Sequence, residues 1–104
     1  YVLSEGMLCR EADKIARDII YGAGYEGCFG HGLGHSVGMF IHEDPRVSPK
    51  AGENDRLMRG HVVTIEPGIY LAGKYGCRIE DMVAIAENGI RNFTKSTKEL
   101  IEIY

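Results

Sequence analysis

The sequence predicts an α+β fold in which one helix packs on an antiparallel sheet. Apolar residues recur at helical spacing near the start of the chain, short β-branched runs follow in its second half, and an Asn-Gly pair separates two segments predicted as strands. A period near 3.6 residues indicates an amphipathic helix, and β-branched runs flanking Asn-Gly indicate a hairpin.

The helix is predicted over about residues 9–21. Its apolar positions lie three or four residues apart, and charged residues fill the positions between them, which gives one buried and one solvated face. The apolar positions are Leu8, Ala12, Ile15, Ala16 and Ile19, and the charged ones are Glu11, Asp13, Lys14, Arg17 and Asp18. Asp13 and Asp18 are thus expected in solvent. Gly22 and Gly24 should end the helix, because glycine readily adopts left-handed backbone.

Two strands are predicted in the second half, over residues 62–66 and 78–86. Pro67 should end the first strand, because proline cannot donate to a ladder and forces the preceding residue toward extended backbone. Residues 27–38 are rich in glycine and predict loop and strand, since glycine costs about 1 kcal/mol per residue in a helix relative to alanine. Residues 45–59 lack periodicity and predict a surface loop.

The hairpin signal is Asn88-Gly89, which lies between the second strand and a further predicted strand at residues 90–93. An Asn-Gly turn requires positive φ at both central residues, which these two amino acids tolerate best. We therefore expect a tight turn at these residues, with Val83 and Ile85 packed inward beside Ile90.

Composition excludes several classes of function. The 104 residues suffice for one small domain, and 44% hydrophobic with 26% charged residues is typical of a soluble globular protein. No apolar run approaches the roughly 20 residues that span a membrane. A net charge of −3 gives no broad positive field, so we expect no nucleic-acid partner. Three scattered cysteines indicate reduced thiols and a cytoplasmic protein. Because the chain opens at Tyr1 without an initiator Met, we expect a piece of a longer protein.

The candidate chemistry lies in three histidines and two glutamates. His31, His35 and His42 fall within twelve positions, and Glu66 and Glu80 lie on the predicted strands. The i, i+4 histidines do not form a helical zinc motif, because glycines separate them and the general-base Glu is missing. The glycine spacing also fails to match a dinucleotide-binding fingerprint.

A metal site explains this set of residues. Strand alternation places Glu66 with Val62 and Thr64, and Glu80 with Arg78 and Met82, so each carboxylate lies among largely apolar neighbours. A buried carboxylate needs a cation, which Arg78 or a metal would supply. One imidazole with two carboxylates suits Mn, Co, Fe or Zn. The same residues are also compatible with solvated glutamates and packing histidines.

Four motifs occur in a fixed order that resembles the pita-bread metallopeptidases. They are His31-Gly-x-Gly-His35-x-x-Gly38, His42-Glu-x-Pro45, Thr64-Ile-Glu-Pro-Gly68 and Arg78-Ile-Glu-Asp81. The resemblance covers nearly the whole chain, and the paired histidines with Arg-Ile-Glu-Asp resemble the proline-specific branch, aminopeptidase P and prolidase, rather than methionine aminopeptidase. It implies the second half of a pita-bread fold with a curved sheet, and residues 1–104 as the C-terminal part of a catalytic domain whose N-terminal part is absent.

The resemblance also implies a role for each motif residue. His35, Glu66 and Glu80 match metal ligands, and Glu66 additionally matches the general acid/base. His31 and His42 match histidines that contact substrate and the tetrahedral intermediate, and Arg78 matches the arginine beside the bridging carboxylate. Two divalent ions would then activate water for attack on the scissile carbonyl, with manganese expected first and Co, Zn or Fe as alternatives.

The implied function is hydrolysis of the Xaa-Pro bond of a peptide or dipeptide with proline at its second position, by a parent protein expected to be a homo-oligomer. The family's two aspartate ligands would lie upstream of residue 1, so the chain holds three of five implied ligands and should be inactive alone. Two alternatives share the fold: a non-catalytic peptide-binding module and a metal-free, creatinase-like hydrolase.

Other polar residues have simpler interpretations. Asp81 is expected to be an edge charge, with bracing of the neighbouring strand as the alternative. Cys77 is expected to be a packing thiol and His61 a residue of a surface turn. No role follows from the sequence for Tyr70.

Overall fold

A computed structural model describes residues 3–104 of the chain. Helix α1 spans Cys9–Ile20, and a single π-helical turn, Tyr21–Tyr25, extends it. The strands are β1 (Gly34–Ser36), β2 (Glu43–Val47), β3 (Val62–Ile65), β4 (Gly68–Leu71), β5 (Tyr75–Arg78), β6 (Asp81–Ala86) and β7 (Gly89–Asn92). Within residues 3–104, no helix has the length and apolar character needed to cross a bilayer.

The strands form two antiparallel sheets. The larger sheet has five strands in the order β2-β1-β3-β6-β7, and the smaller one pairs β4 with β5. Helix α1 packs against β2, at one edge of the larger sheet. The α+β prediction is therefore confirmed.

The core lies between the helix and the larger sheet. Its buried members are Leu3, Cys9, Ala12, Ile20, Phe29, Leu33, Val47, Leu57, Val63, Ile65, Val83 and Ile85. Full burial of an aliphatic or aromatic side chain contributes about 1.5–3 kcal/mol, so this cluster is a main source of stability. Burial also raises the pKa of the Cys9 thiol to about 11, with a further contribution from the charge of Asp55. Cys9 is thus a neutral core residue at physiological pH.

The predicted helix starts where expected and ends one residue early. The π-helical turn follows, and Gly24, with φ of +98°, lies at its end, so the glycine stop is confirmed. The expected exposure of Asp13 is wrong, because its side chain is buried and pairs with Arg17. Asp18 is exposed beside Lys14, as the amphipathic pattern predicts.

The expected surface loop over residues 45–59 is only partly correct. Pro45 lies within the edge strand β2, where a missing backbone donor is tolerated. Val47 and Leu57 are fully buried. Leu57 is held by backbone hydrogen bonds, donating to Met7 O at 2.9 Å while its own carbonyl accepts from Gly6 N–H at 2.7 Å. Isolated apolar residues in a polar segment carry no periodic signal, which is why the sequence does not predict these contacts.

The expected strand over residues 78–86 is two strands in different sheets. Arg78 ends β5, which pairs with β4, whereas Asp81 begins β6, which pairs with β3. Ile79 and Glu80 form the link between the sheets. The first predicted strand is closer to expectation, since β3 ends at Ile65, two residues before Pro67.

The predicted hairpin is confirmed, but its turn lies one residue earlier than expected. In the β6–β7 register Ala86 faces Gly89 and Ile85 faces Ile90, so Glu87 and Asn88 are the connecting residues. Neither has positive φ, whereas Gly89 has φ of +130°. Val83 and Ile85 are buried as predicted.

Replacing Gly89 with valine should therefore destabilise the chain by about 1 kcal/mol or more, because a β-branched residue resists positive φ. The expected decrease in melting temperature is roughly 4 °C or more for a domain of this size. A Cβ at Gly89 meets nothing within 4 Å, so the effect would come from the backbone alone. Gly22→Val is the matched control, since that position is also open but lacks positive φ. Equal melting temperatures for the two variants would contradict the assigned strain.

Candidate functional site

The three predicted metal ligands come from three separate places in the fold. His35 lies in β1, Glu66 directly follows β3, and Glu80 lies in the link between β5 and β6. One potential ligand atom of each residue lies within 4.8 Å of those of the other two. In the part of the chain that the structure describes, this is the one group of three or more His, Cys, Asp or Glu side chains so arranged. The predicted convergence is confirmed, while ligation of an ion stays a prediction.

A close approach of β1 to β3 places His35 beside Glu66. A Cβ on Gly34 would lie 1.8 Å from the carbonyl oxygen of Thr64, so only glycine fits this position without moving a strand. The His35 amide donates to the Thr64 hydroxyl at 3.1 Å. The Glu66 amide donates to the carbonyl of Leu33 at 2.7 Å. These bonds fix the two side chains on neighbouring backbone.

Glu80 is brought to the same place by contacts on both sides of its link. The Ile79 amide donates to Pro67 O at 3.2 Å, which holds the link beside the segment that carries Glu66. On the other side, Asp81 is buried and lies 2.7 Å from the Lys98 ammonium, and the Asn92 amide donates to it at 3.2 Å. The interpretation of Asp81 as an edge charge is wrong, because this carboxylate anchors the start of β6.

The imidazole of His35 is oriented for binding through Nε2. Its Nδ1 lies 3.1 Å from the carbonyl of Ser36, and a carbonyl can only accept, so Nδ1 carries the proton. Nε2 then presents its lone pair toward Glu66, whose Oε2 is 3.6 Å away. Fixing the tautomer in this way is a usual arrangement for metal-binding histidines.

The carboxylate of Glu66 has an unsatisfied oxygen. Among residues 3–104, its buried Oε2 finds no hydrogen-bond partner. Burying a carboxylate oxygen without a partner is costly, and native structures seldom leave such an atom unexplained. A divalent cation between Glu66, His35 and Glu80 would satisfy it, so the described residues fit the metal that the sequence predicts.

Glu80 experiences the negative charge of its neighbour. Desolvation raises the pKa of Glu80 above its usual value, and the negative charge of Glu66 and a hydrogen bond with Glu66 raise it further. Electrostatic interactions with Arg78 and His35 lower this pKa. The expected burial of Glu80 is wrong, because 42% of its side chain is exposed. Arg78 lies on the expected side, with its Nε 3.8 Å from Oε2 of Glu80. A cation would relieve the repulsion between the two carboxylates.

His31 is held at both ring nitrogens. Nδ1 donates to the carbonyl of Gly32 at 2.7 Å, so Nε2 accepts from the hydroxyl of Tyr70, also at 2.7 Å. Tyr70 additionally raises the pKa of Arg78, ahead of the contributions of the nearby carboxylates. Sequence reasoning missed Tyr70, since it lies outside every motif and contacts His31 across 39 positions.

All predicted site residues line two adjoining cavities. A cavity of about 300 Å³ is lined by His31, His35, His42 and Glu66 among others. A second cavity of about 420 Å³ is also lined by His35, His42 and Glu66, and in addition by Arg78 and Glu80. His42 is exposed, and its ring centre is 4.3 Å from that of His35. The arrangement combines a candidate cation site, a carboxylate with one buried oxygen and two further imidazoles in one open cleft.

Comparison with known proteins gives the family. The model of metallopeptidase family M24 matches residues 2–87. The chain belongs to this family. Over 96 residues it is 50% identical to the Xaa-Pro dipeptidase of Pyrococcus furiosus, covering 92% of this chain and 27% of that protein. The resemblance found in the four motifs is therefore confirmed, and the chain spans about a quarter of the length of such relatives.

Solved structures of the family share the fold. The Xaa-Pro dipeptidase from Bacillus anthracis superposes with a TM-score of 0.91 at 43% identity, covering 96% of this chain and 28% of that one. The X-Pro aminopeptidase from Thermotoga maritima gives a TM-score of 0.88 at 38% identity, covering 94% of this chain and 27% of that one. The pita-bread fold predicted from the motifs is thus confirmed.

Proposed function

We propose that this chain is part of a metal-dependent peptidase that hydrolyses the Xaa-Pro bond at the N-terminus of a dipeptide or longer peptide. The supporting observation is the convergence of His35, Glu66 and Glu80, together with the unsatisfied Oε2 of Glu66. The family match supports the reaction class, and the names of the dipeptidase and aminopeptidase relatives support proline at the second position.

In this proposal His35, Glu66 and Glu80 hold a divalent ion. When bound, such an ion supplies Lewis-acid chemistry that acidifies water and polarises the scissile carbonyl. Mixed nitrogen and carboxylate ligands suit Mn, Co, Zn and Fe, and manganese is proposed first because the resemblance to the proline-specific branch implies it. The complete protein is proposed to hold two ions with the help of ligands outside this chain.

The remaining side chains have proposed roles in proton transfer and substrate binding. Glu66 would accept a proton from the attacking water and pass it to the leaving amine. Exposed His42, beside His35, would donate to the developing oxyanion. His31 would contact substrate through Nε2 by exchanging its hydrogen bond with the Tyr70 hydroxyl. Arg78 would orient Glu80 through its Nε, which lies 3.8 Å from Oε2 of Glu80.

We further propose that residues 1–104 are the C-terminal part of the catalytic domain of a cytoplasmic homo-oligomer. Metal content would separate the peptidase from its two alternatives. A non-catalytic peptide-binding module and a creatinase-like hydrolase need no bound ion, whereas the peptidase does.

The ion site can be tested directly on the chain by calorimetric titration with Mn²⁺ or Co²⁺. The unmodified chain should bind one ion, and His35→Ala or Glu80→Gln should weaken binding at least about tenfold, since even outer partners of metal ligands contribute about 10–100-fold. His61→Ala is the matched control, because His61 lies outside the cleft and contacts the Met58 amide. Unchanged affinity in His35→Ala would refute the proposed ligand set.

A further inference from the structure

A buried ion pair on α1 contacts the segment that carries His31. The Arg17 guanidinium donates to both carboxylate oxygens of Asp13, at 2.8 and 3.1 Å. It also donates to the carbonyls of Phe29 at 2.7 Å and His31 at 2.9 Å. Asp13 in turn accepts from the backbone amide of Leu33 at 2.9 Å. The pair therefore binds the backbone at three positions between Phe29 and Leu33.

Burial makes this pair different from an ordinary pair on a helix surface. Only 1% of the Asp13 side chain and 17% of the Arg17 side chain are exposed. The guanidinium carbon also lies 4.4 Å from the centre of the Phe29 ring. Charge-assisted hydrogen bonds are stronger than neutral ones, and a bidentate arginine fixes direction as well as distance. Lys14 and Asp18 have the same spacing on the same helix, but their side chains are 70% and 60% exposed.

The backbone segment that Arg17 and Asp13 bind also carries the imidazole of His31. Arg17 holds the carbonyl of His31, while the ring of the same residue is placed by Gly32 and Tyr70. The Phe29 ring, which stacks on Arg17, also meets the His31 ring edge-on at 5.1 Å between centres. Loss of the guanidinium would free two carbonyls and leave the buried charge of Asp13 without its counter-ion.

We propose that Asp13 and Arg17 are positioning residues that hold His31 in the tautomer and orientation needed at the cleft. The consequence for catalysis rests on the proposed function, whereas the effect on the histidine itself does not. Among residues 3–104, neither Asp13 nor Arg17 forms a hydrogen bond or ion pair with His35, Glu66 or Glu80. The pair should thus act on substrate binding without changing the affinity for the metal ion.

Arg17→Lys provides the main test. Lysine keeps a positive charge for Asp13, but one ammonium cannot reproduce the planar fork that reaches both carbonyls. In the full-length protein, KM for an Xaa-Pro dipeptide should rise about tenfold or more, with Mn²⁺ affinity unchanged within twofold. Lys14→Ala should leave KM, kcat and Mn²⁺ affinity unchanged. A lower melting temperature with unchanged KM would show a purely structural pair and overturn the proposal.

A second readout does not depend on activity. In the unmodified full-length protein, the nitrogen chemical shifts of His31 should show a protonated Nδ1 and an accepting Nε2. Arg17→Lys should shift both nitrogens toward an average of the two tautomers, as should Tyr70→Phe, which removes the donor to Nε2. Shifts that respond to Tyr70→Phe but not to Arg17→Lys would overturn the proposal.

The two readouts also separate failure of this inference from failure of the proposed function. If the unmodified full-length protein hydrolyses no Xaa-Pro peptide while the His31 shifts still respond to Arg17→Lys, the proposed function fails and the positioning role stands. If Arg17→Lys does not fold, Asp13→Asn replaces it, because Asn keeps a carbonyl acceptor for the Leu33 amide while removing the charge. Unchanged His31 shifts in a folded Asp13→Asn variant would then overturn the inference.

Discussion

Glu66→Gln in the full-length protein is expected to lower kcat for an Xaa-Pro dipeptide at least about a hundredfold. The substitution removes the charge of the buried Oε2, which finds no hydrogen-bond partner among residues 3–104. It also removes the proposed proton acceptor, and general acid–base catalysis contributes roughly 10²–10⁴-fold. Glu80→Gln should reduce activity as well, through loss of the bound ion.

The measurement is steady-state kinetics at saturating Mn²⁺, with circular dichroism to confirm folding. Glutamine has nearly the shape of glutamate, so the fold should persist. Glu53→Gln is the matched control, since Glu53 is exposed and lies outside both cavities of the site. A Glu66→Gln enzyme that keeps kcat within a few-fold of the unmodified enzyme would exclude Glu66 from the proposed chemistry.

The 104-residue chain alone is expected to release no proline above background at any Mn²⁺ or Co²⁺ concentration. Within residues 3–104, the structure contains one candidate cluster, and its three residues can hold a single ion. A second ion would need further ligands, so the chain lacks the complete set proposed for water activation. The chain also covers only 27% of the length of the Pyrococcus furiosus dipeptidase.

A paired assay checks this expectation with the same peptide, metal and temperature for the chain and the full-length protein. The full-length protein should release proline and the chain should not. Proline release by the purified chain would show that the three ligands suffice. An inactive, metal-free full-length protein would instead favour the non-catalytic peptide-binding module.

Elements with local signals were the predictable part of this fold. Apolar periodicity gives α1 to within a residue, Pro67 gives the end of β3, and Asn88-Gly89 gives the β6–β7 hairpin. The error of one residue in the turn arises because, of Asn88 and Gly89, only Gly89 adopts positive φ. A sequence signal marks the need for a glycine more surely than its position in the turn.

Elements determined by distant contacts were not predictable. Asp13 resembles any charge on a polar helix face until the Leu33 amide, 20 positions away, is placed beside it. The break between β5 and β6 at Ile79 and Glu80 could not be predicted, because both segments have strand-forming residues. The two strands nevertheless pair in different sheets. Leu57 is buried by contacts that no periodicity encodes.

The candidate site divides in the same way. Its motif residues could be named from the sequence, because His35, Glu66 and Glu80 each lie within a short sequence motif. Their supporting partners could not, since Tyr70 and Arg17 reach His31 across the fold through single hydrogen bonds. Ordinary tyrosines and arginines carry no signal for such bonds.

The position of Glu80 between two sheets gives the site a thermodynamic consequence. An ion shared by His35, Glu66 and Glu80 would tie the two-stranded sheet to the five-stranded one. Local opening of β4 and β5 would then require release of the ion, and a ligand that binds only the closed form stabilises it in proportion to the logarithm of its concentration. Amide exchange and proteolytic cleavage around Tyr75 would thus report the availability of free metal, even when no substrate is present.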